Sequence, residues 1–208
     1  VIPETIITFI VASSLLSLAP GPDNIFVLTQ AALYGRKAGI TITLGLCTGL
    51  IVHTTAVALG VAAIFAVSLV AFTALKLAGS AYLLYLAWGA FRASAGSLED
   101  GPDTTQPDTW ALYRRGIIMN ITNPKVAIFF LAFLPQFTTP DAGAITRQMF
   151  ILGIIFIVLA LVIFTIIACL AGLIAGWLQG SAKAQIMLNR LAGLVFTGLA
   201  MRLATATR

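Results

Sequence analysis

Between Gly39 and Phe91 the chain carries one charged residue, Lys76. A helix that crosses a bilayer needs about 20 mostly apolar residues. The run is too long for one crossing and right for two, with a reversal near residues 66–73. Spans two and three are therefore expected at 39–65 and 74–91. The same rule gives span one at 6–33, span four at 116–134, span five at 149–177 and span six at 186–203. The whole chain, 208 residues, is 60% hydrophobic and 9% charged. A soluble domain carries about 25% charged residues, so the sequence predicts an all-α integral membrane protein with six transmembrane helices. Nearly every residue falls in a span or a short connection, which predicts one transmembrane domain over 1–208.

Two of the six spans are interrupted. In span one, Pro20-Gly21-Pro22-Asp23-Asn24 divides an apolar stretch. In span four, Asn120-Ile121-Thr122-Asn123-Pro124-Lys125 does the same. Proline removes a backbone donor and clashes with the preceding turn, so both helices must break or kink. As a straight helix span one would rise roughly 42 Å against a hydrocarbon core of ~30 Å, which also calls for a break or a tilt. Each break is followed by an ionisable residue, Asp23 after Pro22 and Lys125 after Pro124. Irregular backbone and charge persist at membrane depth only where protein or a wet cavity surrounds them. Paired Pro-interrupted segments in matching places of two halves are a pointer to a transporter's binding site.

The breaks divide the chain into a first repeat, 1–92, a polar linker, 93–113, and a second repeat, 114–208. The linker holds Gly96, Gly101, Pro102 and Pro107 and four acids, without periodicity. Lys76-Leu77-Ala78-Gly79 and Arg190-Leu191-Ala192-Gly193 echo each other at the starts of spans three and six. Three spans per half is an odd number, so the sequence predicts two inverted three-helix repeats. With the N-terminus outside, Arg36, Lys37, Arg92, Arg114, Arg115, Lys183 and Arg190 lie at the inner face, and Lys76, Arg147, Arg202 and Arg208 at the outer. The excess of positive residues inside predicts both termini outside.

The net charge of +5 comes from basic residues scattered beside apolar segments, which the positive-inside rule explains better than nucleic-acid binding. Cys47 and Cys169 are far apart, form no CxxC pair and read as small buried residues. Residues 1–20 have the hydrophobicity of a signal peptide, but Glu4 replaces a basic start and Ala19-Pro20 is a poor cleavage site, so a retained first helix is expected.

Three segments together resemble the lysine exporter (LysE/RhtB) superfamily of amino-acid exporters. The first is Ser17-Leu18-Ala19-Pro20-Gly21-Pro22-Asp23 with Gly35-Arg36-Lys37-Ala38-Gly39 and Gly45 and Gly49 beyond it. The second is Lys76-Leu77-Ala78-Gly79-Ser80-Ala81-Tyr82-Leu83-Leu84-Tyr85-Leu86. The third is Asn120-Ile121-Thr122-Asn123-Pro124-Lys125 running into Phe129-Phe130 and Phe133-Leu134-Pro135-Gln136-Phe137. The resemblance covers essentially the whole chain. It implies six spans and efflux of amino acids or related small molecules driven by the proton motive force across the bacterial inner membrane, without fixing the substrate. Ala87 stands where many members carry glycine.

Asp23 is the one acid well inside an apolar segment. It can bind a substrate ammonium or carry a proton, or it can cap a half-helix starting at Asn24. Lys125 can neutralise Asp23, meet a substrate carboxylate, or snorkel to the interface. Asn24, Asn120 and Asn123 can satisfy freed backbone groups or bind the polar ends of an amino acid. His53 reads as a packed, hydrogen-bonded histidine with a proton relay as the alternative. One histidine excludes a multi-His metal site. The GxxxG spacings Gly45/Gly49 and Gly172/Gly176/Gly180 predict close helix packing within the chain or between two copies in a homodimer.

The leading function is thus a secondary exporter of a small zwitterion, without cofactor. No Walker A motif is present to use ATP. A membrane-embedded enzyme would need paired nucleophile and base or metal ligands, which the sequence does not offer beyond Asp23 and His53. A channel or a structural membrane subunit is the remaining alternative.

Overall fold

The computed structural model describes residues 3–61, 69–94, 108–139, 142–179 and 181–205. Among these, all regular structure is helical. Helices α1 (Pro3–Leu18) and α2 (Pro22–Tyr34) meet at the first break with a bend of 57°. Helix α3 (Arg36–Ala56) runs into a π-helical turn, Val57–Val61. Helix α4 spans Leu69–Arg92. Helices α5 (Thr109–Thr122) and α6 (Pro124–Ile128) form the second broken span. Helix α6 continues through a π-helical turn, Phe129–Phe133, and a 3-10 turn, Leu134–Phe137. The bend between α5 and this continued segment is 50°. Then come α7 (Ile145–Cys169), α8 (Ala171–Gln179) and α9 (Ala182–Thr205). Four helices are long and apolar enough to cross a membrane, and each bent pair counted as one span makes six. Spans one and four are the broken ones, as their prolines require.

Some boundaries differ from expectation. Span four starts at Thr109 rather than 116, because Asp108 caps α5 by accepting from the Ala111 N–H at 3.1 Å. The helix therefore takes the last residues assigned to the linker, while 95–107 lie outside the described residues. Residues 62–68, which hold the end of span two and part of the expected reversal, also lie outside them. Leu69 is already helical, so 69–73 belong to span three. Span five does not run to 177. Its helix ends at Cys169, where Leu170 adopts ψ 8°, and α8 turns away to pack on α2. Cys47 is buried, but Cys169 is exposed at that helix end.

The spans pair in a pattern that survives exchange of the two halves. Span two packs on span four (α3 on α5), and span five packs correspondingly on span one (α7 on α1 and α2). The pairs α3 with α7 and α4 with α9 map onto themselves. The last pair carries the sequence echo. Gly79, in the first half of α4, lies against Leu203 at the end of α9, and Gly193, in the first half of α9, lies against Phe91 at the end of α4. The two helices are therefore antiparallel, with each echo glycine facing the far end of its partner.

The α3–α5 seam is the tightest. A Cβ on Gly45 would overlap the Tyr113 carbonyl, and one on Gly116 would overlap the Ile42 carbonyl. Bare backbone on both sides lets these helices touch, which is the close-packing use of small residues in membranes. Gly172 meets no other described residue of the chain, so packing within the described chain does not explain it. The surroundings of Gly176, and Gly180 itself, lie outside the described residues. Around this frame the outward faces of α1, α4, α7 and α9 remain apolar and exposed, as lipid-facing surfaces must be.

Candidate functional site

Both breaks come together at the centre of the bundle. A cavity of about 10 Å³ is lined by Leu16, Ser17, Asp23, Leu50, Asn120, Lys125, Val126, Phe156 and Phe164. That volume holds about one water-sized group. Four of the lining residues are polar or charged and nearly inaccessible: Ser17 is 4% exposed, Asp23 2%, Asn120 1% and Lys125 6%. Burial of such groups is costly unless they are partnered, so their partners define the site.

Asp23 sits in the first turn of α2, after Pro22 at the first helical position. The N-cap is Gly21, which has no side chain to offer, and Asp23 does not act as the cap. The carboxylate instead lies near the positive end of α2, which offsets part of its desolvation. Its Oδ2 accepts from Asn120 Nδ2 at 3.3 Å, and its Oδ1 has no partner among the described residues. Asn120 therefore bridges the two halves, from the last turn of α5 to the start of α2. Its own Oδ1 is also without a partner. A Cβ on Gly49 would lie 2.8 Å from that oxygen and 2.7 Å from the Asn120 Cβ. Gly49 thus does pack a helix closely, and the group it admits is a site residue.

His53 reaches the same asparagine from α3. Its Nε2 lies 3.1 Å from the Asn120 carbonyl oxygen, and its ring packs on Phe130 at 5.7 Å. A carbonyl can only accept, so Nε2 carries the proton and a neutral ring leaves Nδ1 bare. His53 is thus packed and hydrogen-bonded, held to the backbone of the residue whose side-chain amide binds Asp23.

Lys125 does not make the expected pairing. Both it and Asp23 line the cavity, but no ion pair joins them. Its Nζ donates to the carbonyl oxygens of Ala19 at 3.1 Å and Leu16 at 3.4 Å. These lie at the carboxyl end of α1, where freed carbonyls carry partial negative charge. The ammonium lies close over Gly21: a Cβ there would stand 2.9 Å from Nζ. Snorkelling to the interface is ruled out by its burial.

The remaining amides finish the breaks. Asn123 Oδ1 accepts from the Lys125 backbone N–H at 3.0 Å and so caps α6, with Pro124 at the first helical position. Asn24 Nδ2 donates to the Ser17 carbonyl at 2.6 Å, tying α2 back to α1 across Pro20. Ser17 opens the first family motif but is not among the expected site residues, and it lines the cavity. Its hydroxyl is buried without a partner among the described residues, as is that of Ser13. The signal in the sequence is a pair of hydroxyls, Ser13 and Ser17, four residues apart and so on one face of the helix. Also unforeseen is a run of phenylalanine rings in contact from the cavity wall outward, one pair stacked and the others tilted. Phe156 lies 5.2 Å from Phe129, Phe129 4.9 Å from Phe133, and Phe133 5.1 Å from Phe137. Among the described residues, no group of three His, Cys, Asp or Glu could hold a metal.

Residues 14–207 match the family model described as LysE type translocator. The chain is 36% identical over 198 residues, 95% of each chain, to the homoserine/homoserine lactone efflux protein of Salmonella typhimurium. The protein of the same description from Salmonella typhi is also 36% identical, over the same shares. An uncharacterised membrane protein of Bacillus subtilis is 30% identical over 207 residues, 96% of this chain and 98% of its own length. No solved structure matches.

Proposed function

This chain belongs to the LysE/RhtB family of small-molecule efflux transporters, and on that premise we propose that it exchanges an exported amino acid for an imported proton. As a member it is a multi-pass inner-membrane secondary transporter of small, amino-acid-like molecules and not an enzyme. The finer reading concerns substrate, coupling and route. The exported solute is a small zwitterion of homoserine's kind, the substrate class suggested by the names of the Salmonella relatives.

The observation that carries the coupling is the Asp23 carboxylate, buried at a helix break with one oxygen unpartnered. Such a group can hold either a substrate cation or a proton. Binding one excludes the other, which is the requirement for exchange. A cavity of about 10 Å³ cannot admit an amino acid. Loading must therefore part the spans, first to one side and then to the other. The halves, read as inverted repeats, supply two equivalent ways to open. One proton entering per zwitterion leaving moves one positive charge inward. At ~150 mV this supplies roughly 3.5 kcal/mol, about a 300-fold gradient. Asn120 positions the carboxylate, and His53 holds Asn120.

The test uses everted inner-membrane vesicles, in which export becomes uptake. Labelled homoserine should accumulate on energisation and a protonophore should abolish the accumulation. Rapid equilibration unaffected by the protonophore would instead establish a channel. In the same reading both termini face outward. A cysteine in place of Ser94, with Cys169 replaced by serine, should resist an impermeant thiol reagent in intact cells and react once they are permeabilised. Labelling from outside would reverse the orientation.

A further inference from the structure

We propose that Ser17, Asp23 and Asn120 form a three-acceptor subsite for a primary ammonium group, and that Lys125 takes no part in holding the substrate's carboxylate. The proposal rests on the amino-acid reading above and adds which end of the molecule is recognised. Three side chains lining the cavity bear a buried polar atom without a partner: Ser17 Oγ, Asp23 Oδ1 and Asn120 Oδ1. Two are obligate acceptors and the third is a hydroxyl that can accept. A primary ammonium has three N–H donors. Its volume is near that of a water, which is what about 10 Å³ admits. One of the three acceptors is anionic, so the subsite also supplies the counter-charge. Each methyl group beyond the single substituent of a primary amine removes a donor and adds bulk for which the cavity has no room.

The carboxylate end has no comparable receptor here. The one cation lining the cavity, Lys125, gives two of its three N–H donors to the Leu16 and Ala19 carbonyls, which completes the end of α1 and leaves a single donor against the three acceptors of the amine subsite. Drawing it away would strip the broken helix of its donor. Recognition therefore falls on the amine, and a compound whose carboxyl is masked as a neutral amide remains a ligand.

Thermal unfolding of the purified full chain in mild detergent tests this independently of transport. Methylammonium chloride, at ten times its half-saturating concentration, should raise the Tm by about 3 °C over tetramethylammonium chloride at equal ionic strength. Asp23→Asn should abolish the difference. Ser17→Ala should weaken half-saturation about five- to tenfold. L-homoserine and L-homoserine amide should both stabilise the protein, and N-acetyl-L-homoserine should not. Equal stabilisation by methylammonium and tetramethylammonium, an effect that survives Asp23→Asn, or N-acetyl-homoserine matching homoserine would each overturn the subsite. Failure of vesicle uptake with the methylammonium effect intact would count against the exporter reading alone.

Discussion

At the second break Asn123 closes the start of α6 with its own side chain, accepting from the Lys125 backbone N–H. At the first break Gly21 offers α2 nothing, and the carboxylate two residues later keeps one oxygen bare. The ionisable residue of the second break crosses over to complete α1. The ionisable residue of the first break receives only the long bond from Asn120. The second break caps its own half-helix and lends its charge to its counterpart, while the first leaves its carboxylate with an open oxygen; Asn120 Oδ1 and Asn123 Nδ2 of the second break stay without a partner as well. Two segments alike in sequence thus differ in how their ionisable residues are held, the second bound to backbone carbonyls and the first to a single amide.

The strongest way to break this comparison is Asp23→Asn. The amide oxygen can still accept from Asn120, so the protein should fold and insert. Gradient-driven export should fall by about 100-fold or more, the scale of losing an essential proton-transfer group. Full protonophore-sensitive export by this variant would leave the first break without special chemistry. Lys125→Met comes next and should act on stability. It leaves two carbonyls without their donor and should cost about 2–4 kcal/mol, lowering the Tm in detergent by about 5–10 °C. Adding Asp23→Asn should recover about 1 kcal/mol, since two charges lining one cavity interact without touching. Additivity within ~0.5 kcal/mol would show that they do not sense each other. The smallest effect should come from Asn123→Ala. Loss of a cap costs about 1 kcal/mol and a Tm decrease of about 2–4 °C, with export kept within about threefold. Loss of export beyond that would move chemistry to the second break.

The spans and their breaks were legible because run length and proline act locally. Neither depends on what a helix packs against. The cap at Asp108 was equally local and shows that a single polar residue can shift a helix start by about two turns. What could not be read were the partners. Lys125 and Asp23 occupy matching places in the chain, and neutralising Asp23 was one of three roles open to Lys125. The end of a broken helix competes for the same ammonium with two carbonyls, and that competition is settled by the packing of α1 against the second half. The stop at Leu170 was hidden for another reason: apolar residues continue past it, and hydropathy does not register a change of direction. Ser17 was within reach as a buried hydroxyl, but its lack of a partner is a tertiary fact.

The phenylalanine rings in contact have a consequence for the cell's energy supply. Phe156, Phe129, Phe133 and Phe137 run from the wall of the binding cavity to the end of the second broken span, and Phe9 closes on Phe137 at 5.1 Å. Phe9, Phe129 and Phe133 are 0% exposed. An ion entering such a cluster would exchange its hydration for ring contacts worth about 2 kcal/mol each, against an idealised desolvation cost on the order of tens of kcal/mol. Along this path the closed protein is thereby an electrical insulator, and a membrane crowded with copies keeps its voltage.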